Sequence, residues 1–257
     1  MDNKKYYDNY NWEKAALSEK IGDKIDLIIN SIPKEVKSIL DVGCGDGTIS
    51  NGLVSNFNIL AADRSLNALK YVKTKKINIS ADFLPIKDNS FDLVFSSEMI
   101  EHLPDDIFTK SISEMKRVSK KYIYLTFPND ENIKKQVTEC TKCSYVFNKS
   151  YHLRSINLEL IKKLFPEYKV NLAFEYGAKI RDYNKVLNLL KHKFVPSSAW
   201  IPMFWTPNQK RTTSCPNCNH QYEIPYKFNF IAFVLDRLNV IISKKRPYQL
   251  CVLLEKQ

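Results

Sequence analysis

Ser38-Ile39-Leu40-Asp41-Val42-Gly43-Cys44-Gly45-Asp46-Gly47-Thr48 is the stretch that decides the fold. A short apolar run carries an acid near its end and passes into a turn with glycine at alternate positions. Glycine takes φ > 0 without a Cβ penalty and lets a ligand come close to the backbone. A turn of this composition between strand and helix offers backbone N–H groups to a nucleotide-like ligand. Alone, it is also compatible with a plain tight turn. Three further stretches bear on the choice. Asn58-Ile59-Leu60-Ala61-Ala62-Asp63 is an apolar strand ending in an acid 16 residues after Gly47, where a carboxylate can accept both hydroxyls of a ribose. Ile77-Asn78-Ile79-Ser80-Ala81-Asp82-Phe83-Leu84-Pro85 is a short strand ending in another acid. Ser90-Phe91-Asp92-Leu93-Val94-Phe95-Ser96-Ser97 is a mostly apolar strand with small residues at its exit.

In this order and spacing, the four segments resemble the class I S-adenosylmethionine-dependent methyltransferases over roughly residues 35–130. The spacing Gly43-x-Gly45-x-Gly47, with Asp41 before it, differs from the GxGxxG loop of nicotinamide dehydrogenases. The resemblance implies that S-adenosylmethionine is the cofactor, with Asp41 and Gly43 on its methionine part and Gly45 and Gly47 toward the sugar. It places Asp63 on the ribose and Asp82 on the adenine amino group. Phe83 would stack beside the base, or else belong to the core, and Ser97 joins the cofactor-binding set at the fourth-strand exit. A sulfonium cofactor carries its methyl group already activated. The protein mainly aligns an acceptor with the C–S bond and manages the acceptor's proton.

Directly after the fourth strand the chain reads Ser97-Glu98-Met99-Ile100-Glu101-His102-Leu103-Pro104. The carboxyl ends of the strands are where an α/β sheet binds its substrate. On a tight helical turn Glu98 can point the same way as Glu101 or His102. With His152 from the connection after the fifth strand, these side chains could hold Mg²⁺ or Mn²⁺. They could equally supply a metal-free base or substrate contact, or simply cap the turn. Glu-x-x-Glu-His at this place resembles two divalent-metal branches of the family. These are the ubiquinone-biosynthesis O-methyltransferases and the small-RNA 3′-terminal 2′-O-methyltransferases. Glu98, Glu101, His102 and His152 are therefore the candidate catalytic residues.

Of six cysteines, Cys44 and Cys251 read as small buried residues. The rest form Cys140-x-x-Cys143 and Cys215-x-x-Cys218, with 71 residues between the pairs. Two CxxC knuckles can put four thiolates around one structural Zn²⁺. A redox pair and unligated thiols are the alternatives.

The formal charge of +11 is unevenly spread, with −1 over residues 1–130 and +12 over residues 131–257. In the family's layout the second half builds most of the acceptor site, so a basic second half suits a negatively charged partner: phosphate, nucleic acid or an anionic lipid surface. A scattered solubilising surface is the alternative. The first residues lack the apolar core of a signal peptide, and no run reaches transmembrane length. A cytoplasmic protein is the expectation, with peripheral membrane contact as an option.

The expected fold class is α/β, a seven-stranded, mostly parallel Rossmann-like sheet with a small zinc-stapled lobe. The expected strands are 38–42, 58–62, 77–80, 91–95, 121–127, 168–175 and 249–254, the last antiparallel. Helices are expected over 11–31, 48–56, 65–74, 105–119, 158–165, 182–194 and 228–242. Residues 1–136 would form the cofactor-binding core and 137–157 an insertion with the first knuckle. Residues 158–176 return to the core, 177–227 insert the second knuckle, and 228–257 close the core. In similar enzymes an N-terminal aromatic segment such as Tyr6, Tyr7, Tyr10 and Trp12 folds over the cofactor cleft, though core packing explains it equally well.

The functional expectation is methyl transfer to an oxygen of a small molecule or a lipid- or nucleotide-linked sugar of a surface polysaccharide pathway, the acceptor being anionic. That acceptor class comes from resemblance to bacterial enzymes with a CxxC and a run like Tyr151-His152-Leu153-Arg154-Ser155. The rivals are RNA 2′-O-methylation and a catalytically inactive cofactor-binding scaffold.

Overall fold

A computed structural model describes Tyr7, Tyr10, Trp12 and residues 21–201 and 212–257. Of the helix expected over 11–31, residues 11 and 13–20 lie outside the described residues. Its end is α1, Gly22–Ser31. The core then alternates strand and helix: β1 Ser38–Val42, α2 Thr48–Leu53, β2 Asn58–Asp63, α3 Leu66–Leu69, β3 Lys75–Asn78, β4 Phe91–Ser97, α4 Asp105–Val118 and β5 Ser119–Pro128. Two short hairpin strands follow, β6 Val137–Glu139 and β7 Val146–Asn148, then α5 Leu158–Leu164, β8 Tyr168–Arg181 and α6 Lys185–Phe194. A second hairpin, β9 Thr212–Ser214 and β10 Gln221–Glu223, precedes α7 Phe230–Ile242 and β11 Lys245–Lys256.

Seven strands form one sheet in the order β3-β2-β1-β4-β5-β11-β8. Neighbours from β3 to β5 are parallel, and β11 runs antiparallel to both β5 and β8. The expected seven-stranded α/β sheet with one antiparallel strand is what the chain forms. Its central strands are apolar at consecutive positions because both faces are covered. Ile39, Phe95, Tyr124 and Leu253 pack on the face that carries Ile28 of α1. Leu40, Val94, Leu125 and Val252 pack on the opposite face, with Phe108, Ile112 and Met115 of α4.

Departures from expectation have local causes. α3 spans only Leu66–Leu69, not 65–74. Ser65 caps it by accepting from Ala68 N–H at 3.3 Å. Lys76 Nζ then donates to the carbonyls of Leu69 and Val72 at 2.7 and 2.9 Å, satisfying acceptors that a longer helix would have used. β8 and β11 are longer than expected and run as a ribbon beyond the end of β5. The last residue of β5, Pro128, faces Gln249, whereas β11 begins at Lys245 opposite Arg181 of β8. Pro247 is tolerated there because, among the described residues, no strand borders that stretch on its other side. The ribbon carries α6 and α7 beyond the carboxyl ends of the parallel strands. Among the described residues, no helix is long and apolar enough to cross a membrane.

Candidate active site

The glycine turn after β1 has the backbone that its composition calls for. Gly43, Gly45 and Gly47 have φ of +76°, +56° and +74°. The N–H groups of Gly43 and Cys44 both donate to the Ala62 carbonyl, at 2.8 and 3.1 Å, which fastens the turn to the end of β2. Asp63 completes the junction, accepting from Gly45 N–H at 2.9 Å and from Ser65 N–H at 2.7 Å. Burial raises its pKa. Asp41 is buried under the turn, accepts from Ser50 Oγ at 2.5 Å, and is pushed up to about 7 by burial, with the nearby Asp63 charge adding to the shift.

A cleft opens over this turn. Gly43, Gly45, Asp63, Ser80, Glu98 and His102 line it, and Tyr7 and Trp12 of the N-terminal segment cover it. Asp41 and Ser97 line the adjoining groove, together with Lys149 and Tyr151. Gly47 starts α2, and a Cβ there would approach Val72 Cγ2 to 2.6 Å. Asp82 and Phe83 stand apart from the cleft lining. Asp82 accepts from Ser80 Oγ, and the turn closed by Phe83 N–H on the Ser80 carbonyl leaves Phe83 72% exposed. The exposure of Phe83 excludes the alternative that it belongs to the core.

At the end of β4 the chain turns sharply. Glu98 has φ of +52°, costly for a residue with a Cβ, and its N–H donates to the Thr126 carbonyl at 2.9 Å. A 3₁₀ turn over Ile100–His102 follows. It buries Glu101, and neither carboxylate oxygen of Glu101 has a hydrogen-bond partner among the described residues. Burial raises the pKa of Glu98. Burial and then the Glu98 charge raise that of Glu101 further. Burial and then His152 push His102 down to about 3.

The two histidines arrive from different elements, and their rings meet edge to face at 4.7 Å between centroids. His102 Nδ1 lies 3.3 Å from the Tyr151 carbonyl and 3.0 Å from the Tyr7 hydroxyl. A carbonyl only accepts, so that contact puts the proton on Nδ1 and leaves the Nε2 lone pair 3.8 Å from Glu101. His152 Nδ1 donates to buried Glu131, which likewise frees Nε2. Ligand atoms of Glu101, His102 and His152 all lie within 4.8 Å of one another. A histidine tied through one nitrogen to a carboxylate or carbonyl, with the other nitrogen free, is the usual state of a metal-ligating imidazole. Buried Glu101, whose two carboxylate oxygens lack a hydrogen-bond partner among the described residues, also calls for a cation. The residues therefore fit a divalent ion.

The structure thus brings Glu101, His102 and His152 together, and puts Glu98 and His102 on the lining of the cofactor cleft. It adds Glu131 and Lys24, whose Nζ donates to Ser97 Oγ at 3.2 Å. The signal for Glu131 was its place three residues past the end of β5, at the same carboxyl edge. Lys24 carried no signal, being one lysine among several in an amphipathic stretch. The other two histidines, His192 and His220, stack on Trp200 and Tyr222 away from this cluster.

The two small hairpins bring the four knuckle cysteines together. Cys140 and Cys218 Sγ are 3.7 Å apart, Cys143 and Cys215 Sγ are 3.6 Å apart, and all four lie within 4.8 Å of one another. Tetrahedral ligands about 2.3 Å from a zinc ion are separated by about 3.8 Å. The donor set and its spacing fit Zn²⁺. The second hairpin also grips the site: Tyr151 OH donates to the Ser214 carbonyl at 2.8 Å, one residue before His152.

Residues 40–126 match a family described as a methyltransferase domain. A protein of Methanocaldococcus jannaschii with no assigned function is 32% identical over 153 residues, covering 57% of this chain and 65% of that protein. The human mitochondrial arginine-hydroxylase NDUFAF5 is 34% identical over 96 residues, 35% of this chain and 28% of that one. The ubiquinone biosynthesis O-methyltransferase of Ralstonia nicotianae is 31% identical over 93 residues, 32% of this chain and 39% of that one. The chain spans less than two thirds of the length of each of these relatives. The fold is shared with a SAM-dependent methyltransferase from Archaeoglobus fulgidus, with a TM-score of 0.56, 16% identity and coverage of 93% and 94% of the two chains. The domain match begins just before the glycine turn, so over residues 40–126 the chain carries a methyltransferase domain, built on the fold of a SAM-dependent methyltransferase.

Proposed function

We propose that this chain methylates a hydroxyl oxygen of a small molecule or a carrier-linked sugar, using S-adenosylmethionine. The observation that carries the reading is the Glu101–His102–His152 cluster, in which Glu131 holds His152, with His102 and neighbouring Glu98 lining the cofactor cleft. The hydroxylase among the relatives shows that the domain alone does not name the reaction, so the proposal rests on these side chains. A surface polysaccharide pathway is the setting we infer for the acceptor. A phosphate-bearing carrier would suit the basic second half, from which Lys149 lines the groove beside the cleft.

In this reading Asp63 holds the ribose and Asp41 faces the positively charged methionine end, with Asp82 near the adenine. The acceptor oxygen attacks the methyl carbon as the C–S bond breaks, and the bond electrons neutralise the sulfonium. The hydroxyl proton must leave as the oxygen attacks. Where no ion occupies His152 Nε2, that nitrogen is placed to take it, with Glu131 stabilising the imidazolium through Nδ1. Glu98, Glu101, His102 and His152 would hold a divalent ion, which when bound makes an acceptor hydroxyl easier to deprotonate. Tyr7 and Trp12 exclude water from above. Cys140, Cys143, Cys215 and Cys218 would bind a structural zinc ion that fixes the hairpin holding Tyr151, and through it His152.

The cofactor assignment predicts that Asp63→Ala weakens S-adenosylmethionine binding about tenfold or more, since charge-assisted hydrogen bonds contribute about 1.5–3 kcal/mol each. In the wild-type protein, the cofactor's positive charges favour ionised Asp41, so binding releases a proton and affinity rises as pH increases toward about 7. Calorimetry in buffers of different ionisation enthalpy measures both. An unchanged dissociation constant in Asp63→Ala contradicts the assignment.

For catalysis, turnover of a hydroxyl acceptor should vanish in a strong chelator and return with Mg²⁺ or Mn²⁺. His102→Ala and His152→Ala should each lower the rate by about a hundredfold or more. Circular dichroism must first show the chelated protein still folded. Turnover that survives chelation but not His152→Ala would leave a histidine base without a metal.

Elemental analysis of freshly purified protein should find one zinc per chain, lost on Cys140→Ser/Cys215→Ser. Its removal should raise amide exchange in residues 137–201 and 212–227 more than in the sheet. Metal-free protein with unchanged exchange would contradict the zinc staple.

A further inference from the structure

The helix pair α6 and α7 is built inside out. A surface helix normally turns its apolar stripe inward and its polar face to water. Here the polar groups meet between the helices. Lys191, 1% exposed, donates to Asp236 at 2.7 Å, and Tyr183 OH donates to the same carboxylate oxygen at 2.7 Å. Buried Asn239 accepts from Asn184 N–H at 2.8 Å and donates to the Asp182 carbonyl at 3.0 Å. The outer face carries the large apolar side chains: Phe230, Ile231 and Ile241 on α7, and Val186, Leu189 and Phe194 on α6. Ile241 is 78% exposed, Phe230 69% and Leu189 65%. Single exposed apolar residues are ordinary, but a contiguous two-helix face of them marks an interaction surface.

Charge indicates what covers it. Residues 185–195 and 227–246 hold eight lysines and arginines against one acid, Asp236, which is occupied by Lys191. Lys185, Lys193, Lys227, Arg237, Lys244 and Lys245 are exposed around the apolar face. A second copy of the chain would bring two such basic rims together, and like charges at close quarters oppose that pairing. An anionic lipid surface meets both features, taking apolar side chains at the acyl boundary and lysines and arginines at the headgroups. α7 has 13 residues, a length of about 20 Å at 1.5 Å per residue, enough to lie in an interface but not to span one. The β8–β11 ribbon holds the pair at the carboxyl edge of the sheet, the edge on which the cofactor cleft also opens.

We propose that the outer face of α6 and α7 docks the protein on anionic membrane surfaces. Docking is independent of the methyl-transfer reading and is measured without cofactor or acceptor. Co-sedimentation with phosphatidylcholine vesicles, with and without phosphatidylglycerol, tests it on the full-length zinc-loaded chain. The wild-type protein should partition onto the phosphatidylglycerol vesicles at physiological salt and less onto phosphatidylcholine alone. Phe230→Ser/Ile241→Ser, which leaves the net charge unchanged, should lower that partitioning about tenfold or more. Lys244→Gln/Lys245→Gln should lower it severalfold while leaving the apolar face intact. Because all four positions are exposed, unchanged thermal melting confirms that the variants fold. Absent vesicle binding overturns the proposal, as does equal binding by Phe230→Ser/Ile241→Ser. So does a wild-type dimer in sedimentation velocity that this variant dissolves, since a second copy would then cover the face.

Discussion

The constraint on which the site depends lies between the glycine turn and the turn after β4. Gly43 has a left-handed backbone, and a Cβ added to it would stand 2.3 Å from Met99 Cγ and 2.9 Å from Met99 Cβ. Only glycine admits that approach. It presses the cofactor-side turn against Glu98–His102, so the two parts of the site are positioned by one contact. The strained φ of Glu98 belongs to the same junction, since it lets β4 leave the sheet with Glu98, Glu101 and His102 at the cleft. Outcomes of this kind, where backbone strain is tolerated to aim side chains, cluster at functional sites.

A second dependency runs from the hairpin lobe into the cleft. The cysteine-bearing hairpins are short, and their shared cluster is small: Cys140, Phe147, Tyr151, Cys215, Tyr222 and Ile224. A cluster of that size buries little apolar area, which is why four thiolates converging at its centre matter. Tyr151 belongs to this cluster and its carbonyl faces His102, while the next residue is His152. The lobe is thus connected to both histidines through one residue, and loosening it would move them before it disturbed the sheet.

The sheet was legible because its strands are apolar runs ended by glycine, acid or small residues, and those boundaries hold for β1 and β2 to within a residue. The antiparallel last strand was legible from its apolar composition, but its extension through Pro247 was not, because the ribbon beyond β5 is set by pairing with β8. α3 was overextended for a related reason: Lys76, outside the helix, takes up the carbonyls that periodicity assigned to another turn. Within the site, Glu98, Glu101 and His102 could be found because they follow β4 directly, and His152 because histidine is scarce. Glu131 and the inward polar face of α6 and α7 depend on pairings far apart in sequence, such as Lys191 with Asp236, and no local pattern reveals them.

The central claim is that the cofactor cleft and the Glu–His cluster form one site. A crystal structure of the protein with S-adenosylhomocysteine tests this most directly. The account predicts the ribose on Asp63, the backbone of Gly43–Gly47 against the cofactor, and the sulfur directed at the space bounded by Glu98, Glu101, His102 and His152. A cofactor bound elsewhere, or one seated in the cleft with its sulfur turned away from those side chains, would contradict it.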